Sequence, residues 1–167
     1  ASGKTFVAEN IANDTFFTST LNFSIKLISQ DHFYKGLGEG DDAETYNFDH
    51  PDAIDFDEMY RVLNELNQGK KTLMPQYSFQ EHKRVGYVEI EPADIIIVEG
   101  ILILTDVRLR DLCWLKIFIQ ASPEIRLLRR LKRDHEERGR SIDSIKEQYM
   151  KFDSGVKFPI NLGHVEK

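Results

Sequence analysis

Apolar positions along the chain follow two different periods. Ser24 to Ser29 (SIKLIS), Ile95 to Val98 (IIIV) and Leu115 to Ile119 (LKIFI) are short apolar or β-branched runs, which predict strands. The unbroken IIIV run is the pattern of a parallel strand buried on both faces. Helical stretches are expected at Lys4 to Ala12, Asp55 to Asn67 and Pro123 to Arg138. Residues 72–91 alternate and carry Gly86 as a punctuator, so they read as a β-hairpin excursion. Strands alternating with helices predict an α/β fold with a doubly wound, mostly parallel sheet. Turn-forming residues cluster at Gly36 to Asp42, expected to be a mobile surface loop, and at Asp153 to Gly163. No internal repeat or low-complexity linker divides the chain, so residues 1–167 read as a single domain.

In such sheets ligands bind beyond the carboxyl ends of the strands. Two acids fall there. Asp31 follows the SIKLIS strand, and Glu99 follows IIIV, with Gly100 turning the backbone away. Alone, either acid reads equally well as a helix cap or a loop residue. Together, at two ends of one sheet, they point to a site.

Composition narrows the function. The chain is 41% hydrophobic and 30% charged, an ordinary globular mix. Its formal net charge of −6 disfavours a general binder of nucleic acid or membrane surface. No apolar run approaches the ~20 residues of a membrane-spanning helix. The opening ASGKT has no basic region leading into an apolar stretch, so no secretory signal is read there. The one cysteine, Cys113, fits a small buried hydrophobe and a reducing compartment. The histidines have no neighbours at zinc-ligand spacing.

Positive charge is concentrated. Seven Arg and Lys residues lie between Arg126 and Arg140. On a helix, Arg126, Arg129, Arg130 and Arg133 share an arc of about 100°, with Leu127, Leu128 and Leu131 expected to pack on the opposite side. A solvated basic face usually interleaves acids at helical spacing; here they begin only at Asp134. Four guanidinium groups without intervening acid suit phosphate oxygens. Residues 126–140 therefore read as a lid over a phosphoryl group.

At the other end stand Gly3, Lys4 and Thr5. They match the second half of the phosphate-binding pattern G-x-x-x-x-G-K-[ST], where lysine reaches the β/γ-phosphates and a hydroxyl holds Mg²⁺. Gly-Lys-Thr alone is a common tripeptide. The strand that precedes such a loop is usually central in the sheet, so further residues are expected before Ala1.

Several segments together resemble the uridine kinase (uridine–cytidine kinase) family of P-loop enzymes. They are ASGKT, SQDHFY from Ser29, YNFDHPDA from Tyr46, PQYSFQEHKR from Pro75, PADIIIVEGIL from Pro92, RLLRRLKRDHEERGR from Arg126 and QYMKF from Gln148. The resemblance implies ATP as phosphoryl donor, Mg²⁺ as cofactor and a pyrimidine nucleoside as acceptor. Lys4 and Thr5, with Gly3, would serve the ATP phosphates, and Thr5 and Glu99 the metal. Asp31 would be the catalytic carboxylate that takes or orients the 5′-hydroxyl proton. Asp49 would bind the ribose hydroxyls, and Tyr77, Phe79 and His82 would line the base pocket. Arg130 and Gln148 would touch the nucleoside side, and Arg133, Arg138 and Arg140 the phosphates. A cytoplasmic homotetramer is also implied. Without the resemblance, Tyr77 and Phe79 read as hairpin packing, and Asp49 with His50-Pro51 as a turn into a helix. Related kinases of ribulose 5-phosphate or pantothenate share the phosphate end, and a nucleotide-sensing module would lack the acceptor acid. Residues 153–167 depart from the family pattern.

Overall fold

A computed structural model of the chain describes residues 2–38, 40, 42–43, 46–136 and 139–150. The opening helix α1 is Lys4–Ala12, capped by Gly3 at φ 101°. Strand β1, Ile25–Ser29, runs parallel to β4, Ile95–Glu99, with Ile25 opposite Ile95 and Ser29 opposite Glu99. Helix α1 packs on both strands.

Between them the chain makes an excursion. Helix α2, Phe56–Asn67, starts where the Asp55 carboxylate accepts the Glu58 N–H at 3.1 Å, an N-cap that satisfies an otherwise orphan donor. Met59, Val62, Leu63 and Leu66 recur at helical spacing and are buried. The hairpin follows as β2, Thr72–Ser78, paired antiparallel with β3, Lys83–Ile90. The main core lies among β1, α2 and the hairpin, and includes Ile28, Phe33, Tyr34, Ile54, Met59, Val62, Met74 and Ile90. Three further α-helices follow among the described residues: α3 at Val107–Leu112, α4 at Pro123–Glu136 and α5 at Ile142–Gln148. The sequence pattern did not reveal α3 or α5. Among the described residues no helix is long and apolar enough to cross a membrane.

Two expectations about the sheet are corrected. Leu115 to Ile119 forms no strand, because no described strand lies alongside it to complete a ladder. Leu115, Ile117 and Phe118 stay exposed, as does neighbouring Trp114 at 97%, while Ile119 is half-buried. Strand β4 is half-buried along its length rather than buried on both faces. One edge pairs with β1, while an open cleft lies between β4 and residues 114–122. The Gly36 loop is not wholly free either. The Leu37 N–H donates to the His82 carbonyl at 3.0 Å and ties that end to the hairpin.

Candidate active site

The cleft has a volume of about 2440 Å³ and brings together residues from well-separated segments of the chain. Lys4, Asp31, Asp49, Phe79, His82, Glu99, Arg130, Arg133 and Arg140 all line it. Gly3 and Thr5 flank Lys4 at the head of α1, where backbone N–H groups and the helix dipole favour an anion. Burial pushes the Lys4 ammonium below its ordinary value. Glu99, Asp31 and Asp49 oppose that shift, and Arg133 adds to it. Charged groups from four separate segments therefore act on one ammonium.

The two strand-end acids are linked through Ser29. Its hydroxyl donates to Glu99 Oε1 at 2.8 Å and accepts the Asp31 N–H at 3.3 Å. Asp31 sits in a short 3₁₀ turn, Gln30–Phe33, capped by that same hydroxyl. Gln30 braces the opposite side. It is buried, and its Oε1 accepts the Leu102 N–H at 3.0 Å. Gly100 is required here: a Cβ at that position would lie 2.4 Å from Gln30 Cβ. Beside Asp31, burial pushes His32 down, against the opposing pull of the Asp31 charge.

Across the cleft stands an aromatic wall. Tyr34, Phe48, Phe79 and His82 line the cleft, whereas Tyr77, expected to line the base pocket, is not a lining residue but packs on Tyr34 at 5.2 Å between ring centroids; Phe79 and Phe48 meet Tyr34 at 6.1 Å and 5.9 Å. The His82 ring stacks on Phe48 at 5.5 Å and 28°. The Tyr77 hydroxyl is buried with no hydrogen-bond partner among the described residues. Burial first, then the nearby Tyr46 and Asp31, raise its pKa to about 12. A buried hydroxyl without a partner is costly unless a ligand supplies one. Asp49 sits in the turn before the Pro51–Ala53 helix, its N–H held by Asn47 Oδ1 at 3.1 Å.

The arginine helix is arranged differently from the sequence expectation. Leu127 and Leu131 are half-buried as expected but Leu128 is exposed, and of the arginines Arg126, Arg130 and Arg133 line the cleft. Arg130 Nη1 pairs with Asp49 at 3.3 Å, and Arg129 donates to the Ser2 carbonyl at 3.0 Å. The guanidinium groups are not unopposed. Asp134 is buried and lies 2.7 Å from Arg133, 3.5 Å from Arg130 and 3.9 Å from Arg140. Spacing carried a signal for this, since Asp134 is four residues after Arg130. Ser29 and Gln30 were missed because adjacency to Asp31 was their only mark. Arg138 lies outside the described residues, as do residues 153–167. Gln148 ends α5, and its side chain is likewise outside the description.

A Gly-Lys-Thr helix head facing two strand-end carboxylates beside a parallel strand pair is the arrangement of the P-loop fold class. The chain belongs to the phosphoribulokinase/uridine kinase family, whose model matches residues 1–156. It is 46% identical over 154 residues to uridine-cytidine kinase A of Dictyostelium discoideum, covering 91% of this chain and 30% of that protein. It is 42% identical over 152 residues to the uridine kinase of Latilactobacillus sakei, covering 90% and 70%. The chain thus spans about a third of the Dictyostelium protein and most of the bacterial one. A solved structure of a candidate fructose transport system kinase from Silicibacter sp. TM1040 aligns with a TM-score of 0.64 at 17% identity, over 89% of this chain and 74% of that one. At that identity the likeness speaks for the fold alone.

Proposed function

We propose that the chain transfers the γ-phosphoryl group of ATP to the 5′-hydroxyl of uridine or cytidine. One observation carries the reading: the phosphate-end residues Lys4, Asp31 and Glu99 share a cleft with Asp49, Phe79 and His82 at the acceptor end. The named relatives act in the same direction, since both are pyrimidine nucleoside kinases by name.

In this reading Asp31 orients the attacking hydroxyl and receives its proton as the bond to phosphorus forms. The phosphoryl-transfer transition state is loose, so positioning and charge stabilisation do most of the work. Lys4, Gly3 and Thr5 hold the phosphates, and Arg133, Arg138 and Arg140 close over them. Asp49 accepts the ribose hydroxyls, for which Arg130 is its present partner. Tyr77, Phe79 and His82 receive the base, and Gln148 completes the nucleoside side. The described residues contain no cluster of three metal-ligating side chains. Glu99 lines the cleft together with Lys4, and Mg²⁺ takes one or two carboxylates and completes its shell with water and phosphate oxygens. Glu99 and Thr5 are the residues that would hold it, and it would supply charge neutralisation. The reading includes a cytoplasmic homotetramer with no nucleic-acid partner.

The test is ADP release by the protein with Mg²⁺-ATP and, separately, uridine, cytidine, adenosine, pantothenate and ribulose 5-phosphate. Turnover with the two pyrimidine nucleosides alone is expected. Turnover with another acceptor, or with none, overturns the roles given to Asp49, Tyr77 and His82.

A further inference from the structure

Arg84 lies outside the cleft lining, yet it sits where the acceptor-side segments meet. Its Nε donates to the Tyr34 carbonyl at 3.1 Å, and its Nη2 pairs with Asp55 Oδ2 at 2.9 Å. Neither side chain is loose: Arg84 is 23% exposed and Asp55 27%. Asp55 at the same time caps α2 through its other oxygen. Partial burial would raise its pKa, but the Glu58 N–H and the Arg84 guanidinium together hold it below the usual carboxylate range. One guanidinium thus joins β3, the segment after Asp31 and the head of α2.

The hairpin register gives this junction a direction. Arg84 stands directly opposite Tyr77, while Gln76 pairs with Gly86, so Val85 is an extra residue. Such a bulge re-aims neighbouring side chains. Opposed residues on paired strands share a face, so Arg84 and Tyr77 lie on the same face of the hairpin. Two further contacts fix the same end. Leu37 N–H donates to the His82 carbonyl, and the backbone of Gly36, at φ 90°, passes so close that a Cβ there would lie 3.2 Å from that carbonyl. Asp55 N–H in turn donates to the Phe33 carbonyl at 2.8 Å, and Lys35 N–H to the Ala53 carbonyl at 3.0 Å. The segments bearing Asp31, Asp49 and the aromatic wall are therefore laced together around Arg84.

We infer that Arg84, through its fork on Asp55 and the Tyr34 carbonyl, is a positioning residue that sets the acceptor pocket against the Asp31 turn. The inference rests on the reading of the hairpin as the acceptor wall. A lysine cannot reproduce a planar two-point contact, so charge alone does not replace it.

The experiment is steady-state kinetics on Arg84→Gln, Arg84→Lys, Asp55→Asn and the Arg84→Gln/Asp55→Asn double variant, with uridine and ATP varied separately. Asparagine keeps an oxygen to cap α2. The expected result is a rise in uridine KM of about 10- to 100-fold for both Arg84 variants, with ATP KM within about twofold. The double variant is expected to be no worse than the poorer single, because the two residues act as one contact. Equal losses in both KM values, or full rescue by lysine, overturn the inference while leaving the kinase reading intact. Absence of nucleoside turnover in the unsubstituted protein overturns the kinase reading instead. Hydrogen exchange then decides the tether by itself: faster exchange at residues 77–84 in Arg84→Gln, with 25–29 unchanged, supports it, and no change sinks it.

Discussion

The Ser29 hydroxyl joins Glu99 to the Asp31 backbone, donating at 2.8 Å to one and accepting at 3.3 Å from the other. The two carboxylates proposed for metal and acceptor proton thus share one small support. Ser29→Ala is expected to lower kcat by about 10- to 100-fold, as removal of a supporting hydrogen bond does at comparable sites. Ser29→Thr keeps the hydroxyl and is expected to lose less. Equal loss in both would assign the effect to packing against the strand.

Asp31→Asn retains the shape of the side chain and removes its basicity. We expect kcat to fall about 10²- to 10⁴-fold, with ATP binding by calorimetry retained. Unchanged turnover would remove Asp31 from the catalytic role.

Tyr77→Phe separates binding from stability. The hydroxyl is buried without a partner, so its removal is expected to leave the urea midpoint unchanged or raised. Uridine KM should nevertheless increase, by a loss of about 1 kcal/mol. A lowered midpoint with unchanged KM would mean that the hydroxyl serves the fold alone.

Asp134 is 1% exposed beneath guanidinium groups whose own side chains reach solvent, Arg133 at 37% and Arg140 at 28%. Its removal in Asp134→Ala is expected to cost about 1–3 kcal/mol, less than for a fully buried pair because solvent screens the arginines left behind. Urea unfolding at constant m-value checks this. The same variant should raise ATP KM, since Arg133 and Arg140 lose their common anchor.

Acid should loosen the hairpin junction. The pKa of Asp55 is depressed in the folded protein, so its stabilising contribution is complete above the unfolded value near 3.9. It declines as pH falls through the lower folded value. Asp55→Asn is therefore expected to be less stable than the unsubstituted protein at neutral pH, with the difference shrinking below about pH 4. A constant difference across that range would show that the carboxylate charge is not what Arg84 holds.

Local patterns carried much of this structure. Helix α1 is bounded as its periodicity predicts, and Asp55 to Asn67 forms α2 with Asp55 as its cap. The alternation at 72–91 is the hairpin. Asp31 and Glu99 do meet at neighbouring strand ends, because parallel pairing places Ser29 opposite Glu99. What periodicity could not supply was neighbourhood. Leu115 to Ile119 has the composition of a strand but lacks a described partner, and strand formation needs one. Of the leucines expected to form the packing face of the arginine helix, Leu127 and Leu131 are half-buried but Leu128 is exposed, and the buried Asp134 gathers Arg130, Arg133 and Arg140 around itself. Arg84 was only one letter within a family-like segment. Its contacts reach 29 residues back to Asp55 and 50 to Tyr34, separations that no local window spans.

The pairing of β1 with β4 joins residues 70 apart in the sequence, with α2 and the whole hairpin between them. The register of the hairpin and the Asp55 cap of α2, by contrast, join near neighbours in the sequence. The two carboxylates cannot approach until residue 99 has emerged from the ribosome and a long loop has closed, a step that non-local pairing makes slow. The joint between Glu99 and the Asp31 turn is therefore a property of the closed chain and of no local segment.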